Sequence, residues 1–163
     1  MLARDIIAAC QRNLLEFSND CSGFVRAVAD ECGVLLTGDA NEIVDTLAGS
    51  SYPLADGVAA ATAARRGDLV VGGVKASGHG HVVVVVDGPV RNNKYPYAFW
   101  GQYHGVVFKD ATLNAGFTRG HGTVNWAYDR TARDQIVYAA FPVSRLLLEP
   151  ARGSQGYLSY TFT

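Results

Sequence analysis

The chain is poor in cysteine, and its cysteines are not arranged as a disulfide or metal framework. Its 163 residues include three cysteines, Cys10, Cys21 and Cys32, spaced eleven apart. Three are too few for a disulfide scaffold, and the spacing is not that of the close pairs found in zinc sites. At least one thiol is therefore expected to be free, and Cys10 and Cys32 are expected to be buried packing residues.

Long apolar runs and clusters of like charge are also missing. The longest valine run, Val82 to Val86, is far shorter than the roughly 20 residues of a membrane span. Charged residues interrupt the segment Met1 to Phe17, so it does not contain the apolar core of a signal peptide. With 14 basic and 15 acidic residues, no basic cluster is longer than Arg65-Arg66. We expect no membrane span, no nucleic-acid partner and a protein made in the cytoplasm without a signal peptide.

The length and the hydrophobic content fit one domain. Hydrophobic residues make up 48% of the chain, enough for one substantial core. We expect a single domain over residues 1–163. The tail, residues 149–163, is expected to be either a final strand or a loose end.

The two halves of the chain carry different periodicities. Helical spacing in the first half predicts helices at 2–15, 21–32, 41–48 and 54–66. In the first of these, Ile6, Ile7, Cys10 and Leu14 are assigned to the buried side, and Leu15 is left open. Valine-rich and aromatic segments predict strands at 68–74, 81–87, 95–101 and 135–141, and the glycine-rich stretch 102–125 predicts long loops. The order indicates an α+β fold, with N-terminal helices packed on a mainly antiparallel β-sheet.

The most informative short motif surrounds Cys21. Asn19-Asp20 is a polar helix start, and Ser22-Gly23 follows the cysteine at once. A thiol in the first turn of a helix lies near unpaired backbone N–H groups, which favour the thiolate. Cys21 is therefore a candidate nucleophile, and the small residues Ser22 and Gly23 are assigned to support the site by allowing a close approach.

The partner of this thiol is predicted to be His81. It opens the valine run, whose two faces are both apolar, so the strand is expected to be central. A histidine at its first position lies at the edge of the core, where it can accept the proton of Cys21 while the thiolate attacks a carbonyl carbon. The backbone N–H of Cys21 is a candidate donor to the oxyanion. The structural alternative is a histidine satisfied by a backbone carbonyl.

Other polar clusters are interpreted structurally. His79 and His81 lack the carboxylate or cysteine that would complete a metal site, so we predict neither metal nor cofactor, and His79 is expected to be an exposed loop residue beside the cleft. His104 and His121 are placed in loops. The segment 129–134 is expected to form ion pairs or cap a short helix, and Trp126 and Tyr128 to pack against the sheet.

The run Asp20-Cys21-Ser22-Gly23-Phe24-Val25, with Gly80-His81-Val82 opening a valine strand, resembles the NlpC-type branch of the papain-like cysteine peptidases. More narrowly, the chain resembles the first family of type VI secretion amidase effectors. The segments that carry this likeness are 19–29, Ala40-Asn41, Val44-Asp45, 80–89, 94–96, Arg130-Thr131 and Arg133-Asp134.

This resemblance implies a papain-like fold and a function. Such effectors are delivered by a type VI secretion apparatus into the periplasm of a rival bacterium. There they hydrolyse the bond between D-glutamate and meso-diaminopimelate in peptidoglycan stem peptides, and a cognate immunity protein protects the producer. The chain is accordingly interpreted as an antibacterial cysteine amidase with a Cys21/His81 dyad.

The third polar group of a papain-like site is not obvious in the sequence. Trp100 occupies the expected position, but an indole N–H only donates hydrogen bonds. Gln102 is the candidate acceptor for the histidine, with a backbone carbonyl as the alternative. Two other functions stay open: an acyltransferase with the same nucleophile, and a noncatalytic wall-binding domain.

Overall fold

The computed structural model describes residues 1–17, 19–101 and 120–143. Its four helices are α1 (Ala3–Asn13), α2 (Cys21–Glu31), α3 (Ala40–Ala48) and α4 (Gly57–Arg65). Its strands are β1 (Pro53–Leu54), β2 (Leu69–Val74), β3 (His81–Val85), β4 (Tyr97–Phe99), β5 (His121–Thr123) and β6 (Val137–Phe141). None of the helices in the described part of the chain is both long and apolar enough to cross a membrane.

The strands form one sheet in the order β1-β6-β2-β3-β4-β5, and every pair is antiparallel. Strand β3 lies inside the sheet, and its residues Val82 to Val85 are fully buried. The predicted α+β fold and the central position of the valine strand are confirmed. At the start of β3, His81 pairs with Val74 at the end of β2.

Aspartates start three of the four helices. Asp20, Asp39 and Asp56 adopt extended backbone conformations, and each side chain accepts a hydrogen bond from a backbone N–H in the first turn of its helix. Such caps satisfy N–H groups that the helix itself leaves unpaired. The start of α2 at Cys21 is therefore fixed by the residue immediately before it.

Each face of the sheet has its own core. Helices α1, α2 and α3 cover the face that carries Val82, Val84 and Val86. Helix α4 and the aromatic residues Trp100 and Tyr128 cover the face that carries Val83 and Val85. The alternation of β3 thus separates a helical core from a more aromatic one.

Several predicted boundaries are wrong. Leu54 belongs to β1 and pairs with Tyr138, so the fourth helix begins only at Gly57, after the Asp56 cap. Leu15 lies beyond the end of α1 and is 84% exposed. The stretch 102–125 is not all loop, since it contains β5 and the start of a short 3-10 helix at Val124–Trp126. The tail 149–163 lies outside the described residues.

Candidate active site

The capping interactions of Asp20 hold the start of α2. Its Oδ1 accepts hydrogen bonds from the backbone N–H of Gly23 at 2.8 Å and from Ser22 Oγ at 3.1 Å. A Cβ atom at Gly23 would overlap the Asp20 carboxylate. The predicted supporting residues Ser22 and Gly23 are therefore part of the helix cap that positions Cys21.

The Cys21 thiol points from the first turn of α2 to the beginning of β3. Its Sγ donates to the carbonyl oxygen of Gly80 at 3.9 Å, and the side chain is buried. Gly80 and Val82 flank His81 in sequence, and the backbone N–H of Val82 is also directed at the sulfur. The nucleophile candidate thus contacts the backbone on both sides of the histidine candidate.

Burial keeps this thiol protonated. The pKa of Cys21 is raised to about 11, chiefly by burial and further by the Asp20 carboxylate. The backbone N–H groups of Val82, Ser22 and Cys21 lower it, as expected at a helix start, but by less. The backbone groups at the helix start thus act in the expected direction, but loss of solvation outweighs them and leaves the pKa of Cys21 raised.

His81 is buried on the aromatic face of the sheet. Its ring packs edge-on against Tyr128 with centroids 5.1 Å apart, and the Tyr128 hydroxyl donates to the His81 carbonyl oxygen at 2.8 Å. Burial, assisted by the charge of His79, lowers the pKa of His81 to about 3. The imidazole is therefore neutral near pH 7, with one ring nitrogen that carries no proton.

The thiol and the imidazole approach the beginning of β3 from different sides. Helix α2 covers the face of Val82 and Val84, whereas the alternation of the strand directs His81 toward the face of Val83. Both side chains therefore lie at the end of the sheet where β3 begins.

Asn41 of α3 anchors the turn that leads into His81. Its side chain exchanges two hydrogen bonds with the backbone of Ala76, at 2.9 and 3.1 Å. A Cβ atom at Gly80 would overlap Asn41 Oδ1 and lie 2.7 Å from Val74 O. Glycine is therefore required where this turn, α3 and β2 meet, and Asn41 has a positioning role that its short polar side chain did not signal in the sequence.

A cavity of about 190 Å³ opens beside the histidine. Its lining residues include His79, Gly80, His81 and Tyr128. His79 is exposed here, as predicted. Tyr128 was expected only to pack against the sheet, which it does, but no local pattern indicated its contact with a histidine 47 residues earlier.

The remaining predicted site residues fall into three groups. Gln102 and His104 lie outside the described residues. His121 is not in a loop: it lies on β5, where Nδ1 is 2.6 Å from the Tyr97 hydroxyl. Cys10 and Cys32 are free and buried, as predicted.

In the part of the chain that the structure describes, no group of three or more potential ligands is arranged to hold a metal ion.

The segment 129–134 supplies both a cap and an ion pair. Asp129 Oδ1 accepts hydrogen bonds from the backbone N–H groups of Thr131 and Ala132, at 2.9 and 2.7 Å. Asp134 binds Lys94 Nζ at 2.8 Å and the Tyr95 hydroxyl at 2.7 Å. The predicted structural role of these two acidic residues is confirmed.

Comparison with known proteins gives two matches. The NlpC/P60 family matches residues 11–106, which include both Cys21 and His81. The chain is also similar to the peptidoglycan amidase Tse1 of Pseudomonas aeruginosa, with 38% identity over 134 residues that cover 82% of each protein. The family resemblance found in the sequence is thereby confirmed.

Proposed function

The chain belongs to the NlpC/P60 family, and on that premise we propose that it is a cysteine amidase that hydrolyses the D-glutamyl–meso-diaminopimelate bond of peptidoglycan stem peptides. One observation carries the chemistry: the Cys21 thiol, at the start of a capped helix, contacts the backbone that bears His81. The relationship to a peptidoglycan amidase supports the class of substrate.

The proposed reaction starts from a neutral thiol and a neutral imidazole. His81 takes the proton as Cys21 Sγ bonds to the carbonyl carbon, and the resulting imidazolium returns the proton to the amine as the carbon–nitrogen bond breaks. Water then attacks the thioester with His81 again as base, which releases the new carboxylate and restores the thiol. The lowered pKa of His81 and the raised pKa of Cys21 support a start from neutral partners.

The start of α2 also provides candidate donors for the oxyanion. The backbone N–H of Gly23 is occupied by Asp20 Oδ1, and that of Phe24 by the Asp20 carbonyl oxygen. The N–H groups of Cys21 and Ser22 are instead directed at the sulfur. Donors beside the attacking atom are suited to stabilise negative charge on the carbonyl oxygen.

We extend the proposal to the biological role: an antibacterial type VI secretion effector that acts in the periplasm of a target cell and is neutralised by a cognate immunity protein. The similarity to Tse1 supports it. The chain fused to a periplasmic signal peptide should lyse the bacterium that expresses it. The unfused chain and a fused Cys21→Ala variant should not. Equal toxicity of the fused wild type and the fused variant would contradict an amidase role.

Mass spectrometry of digested muropeptides tests the proposed reaction. Purified peptidoglycan with defined stem peptides is expected to yield a free amine on meso-diaminopimelate and a matching free D-glutamate carboxylate. Transfer of the acyl group to an added amine, without hydrolysis, would indicate an acyltransferase. Binding to peptidoglycan without any cleavage would indicate a wall-binding domain.

A further inference from the structure

A second cavity adjoins the histidine cavity. It has a volume of about 250 Å³, and Tyr128 lines both cavities. Its charged lining residues are three arginines, Arg91, Arg130 and Arg133, and no carboxylate of the described residues lines it. The cavity with three cationic residues is thus separated from the histidine cavity by the side chain of Tyr128.

The nearest acidic groups have other partners. Asp134, which is close enough to Arg133 for each charge to affect the other, is bound by Lys94 and Tyr95. Asp129 accepts two backbone hydrogen bonds. Like charges that share a cavity repel one another unless an anion lies between them. The positive charge of the cavity therefore favours binding of a negatively charged group.

Aromatic rings hold two of the guanidinium groups in place. Arg91 lies over Trp126 at 5.6 Å and Arg133 lies over Tyr95 at 5.5 Å, measured to the ring centroids. Stacking of this kind uses the face of a guanidinium group and leaves its edge, which carries the N–H donors, available to a ligand. The donors are thus oriented before any ligand binds.

Two buried polar atoms of the cavity residues lack partners. Arg133 Nε and Asn125 Oδ1 are buried and, among the described residues, have no hydrogen-bond partner. A buried donor or acceptor without a partner destabilises the fold, so a ligand that satisfies it after a small side-chain shift gains affinity. Arg133 Nε requires a hydrogen-bond acceptor, and Asn125 Oδ1 requires a donor.

We propose that this cavity is a subsite for a free carboxylate of the stem peptide, with an adjacent N–H group directed to Asn125. The proposal rests on the proposed function and adds a determinant of substrate choice. D-Glutamate joined through its side chain, and meso-diaminopimelate, both carry a free carboxylate beside an N–H group. Arginine donors match a carboxylate in geometry as well as in charge.

Arg91 and Arg130 are exposed and allow a direct test. For a stem tripeptide with all its carboxylates free, Arg130→Gln is expected to raise KM about tenfold with little change in kcat, and the double variant Arg91→Gln/Arg130→Gln to raise it further. Arg4→Gln, at an exposed arginine of α1, makes the same charge change far from the cavity and should leave KM unchanged.

Amidated substrates identify the carboxylate. Tripeptides carrying a carboxamide on D-glutamate, or on meso-diaminopimelate, are compared with the free acid. The wild type should bind one of the two amides about tenfold more weakly, and Arg130→Gln should lose that discrimination. If the arginine variants weaken binding of the acid and of both amides equally, or weaken binding of none of them, the subsite proposal is wrong.

Binding of the same peptides to Cys21→Ala protein, measured by titration calorimetry, tests this proposal independently of the proposed function. If wild type cleaves nothing, the amidase proposal fails, but an Arg130-dependent preference for the acid in calorimetry would still support the carboxylate subsite. If wild type cleaves but affinity is independent of Arg130 and of amidation, the amidase stands and the subsite falls.

Discussion

The two faces of the sheet differ where β3 begins. The helical face is largely apolar: α1, α2 and α3 bury all three cysteines there. The aromatic face carries Tyr128, and two cavities with polar and cationic walls adjoin it. The proposed nucleophile therefore lies in the helical core, whereas the proposed base and these two cavities lie on the other side. In the proposed reaction, one face holds the reacting sulfur and the other offers space for the substrate.

The largest effect is expected for the thiol itself. Cys21→Ala should reduce peptidoglycan cleavage on the order of 10⁵-fold, since the covalent step has no other nucleophile. Cys10→Ala and Cys32→Ala, made on the same helical face, also remove buried thiols and should lower stability while sparing cleavage. Release of new amino groups measures this contrast. Full activity of Cys21→Ala would mean that the helical face takes no part in the reaction.

The next largest effect is expected at His81. His81→Gln should lower kcat on the order of 10³-fold through loss of the base. His79→Gln, at the exposed histidine two residues earlier, is the matched control and should retain most activity. Equal losses in the two variants would mean that the buried imidazole has no special role.

Stability should also depend on pH through His81. Its pKa is about 3 when folded and 6.5 when unfolded, so between these values the unfolded chain binds the extra proton. The free energy of unfolding should therefore fall by about 1.4 kcal/mol per pH unit as the pH is lowered through this window. Urea titrations at pH 7, 5 and 4 should show a smaller fall for His81→Gln, and identical falls would contradict the burial of a neutral imidazole.

A smaller effect is expected for Tyr128→Phe. The change removes the hydroxyl that binds the His81 carbonyl oxygen and should cost about 1 kcal/mol of stability. Loosening of His81 should lower kcat by up to about tenfold and leave KM nearly unchanged. Tyr138→Phe, at a buried tyrosine of the same face, should not affect kcat. Steady-state kinetics of both variants would show whether the aromatic face positions the base or only fills space.

The smallest effect is expected at the helix cap. Asp20→Ala and Asp56→Ala each remove an aspartate that caps a helix and should each lower stability by about 1 kcal/mol. Only Asp20→Ala should also reduce cleavage, since α2 carries the thiol and α4 does not. Thermal unfolding together with activity measures both variants. Equal activities would show that the cap supports the fold alone.

What the sequence predicts well is local. Asp20 ahead of Cys21, and a valine run after Gly80, are signals contained within a few residues, so the helix start and the central strand follow from them. The two-residue strand at Leu54 exists only because β6 returns beside it, which no local pattern encodes. The same holds for the contact of Tyr128 with His81 and for the meeting of Arg91 with Arg133.

The protonation state of the thiol shows the same limit. A helix terminus is a local feature and predicts a lowered pKa for Cys21. Burial is a property of the whole fold, and it raises that pKa instead. Electrostatic inference from a motif is therefore incomplete until the surrounding packing is known.

The pH dependence of kcat/KM, measured on a defined stem peptide, tests most directly whether a neutral His81 accepts the proton of Cys21. With the pKa of His81 at about 3, activity at pH 5 should equal activity at pH 7, and the acidic decline should begin only near pH 4. Loss of half the activity near pH 6.5, the ordinary pKa of histidine, would contradict the account.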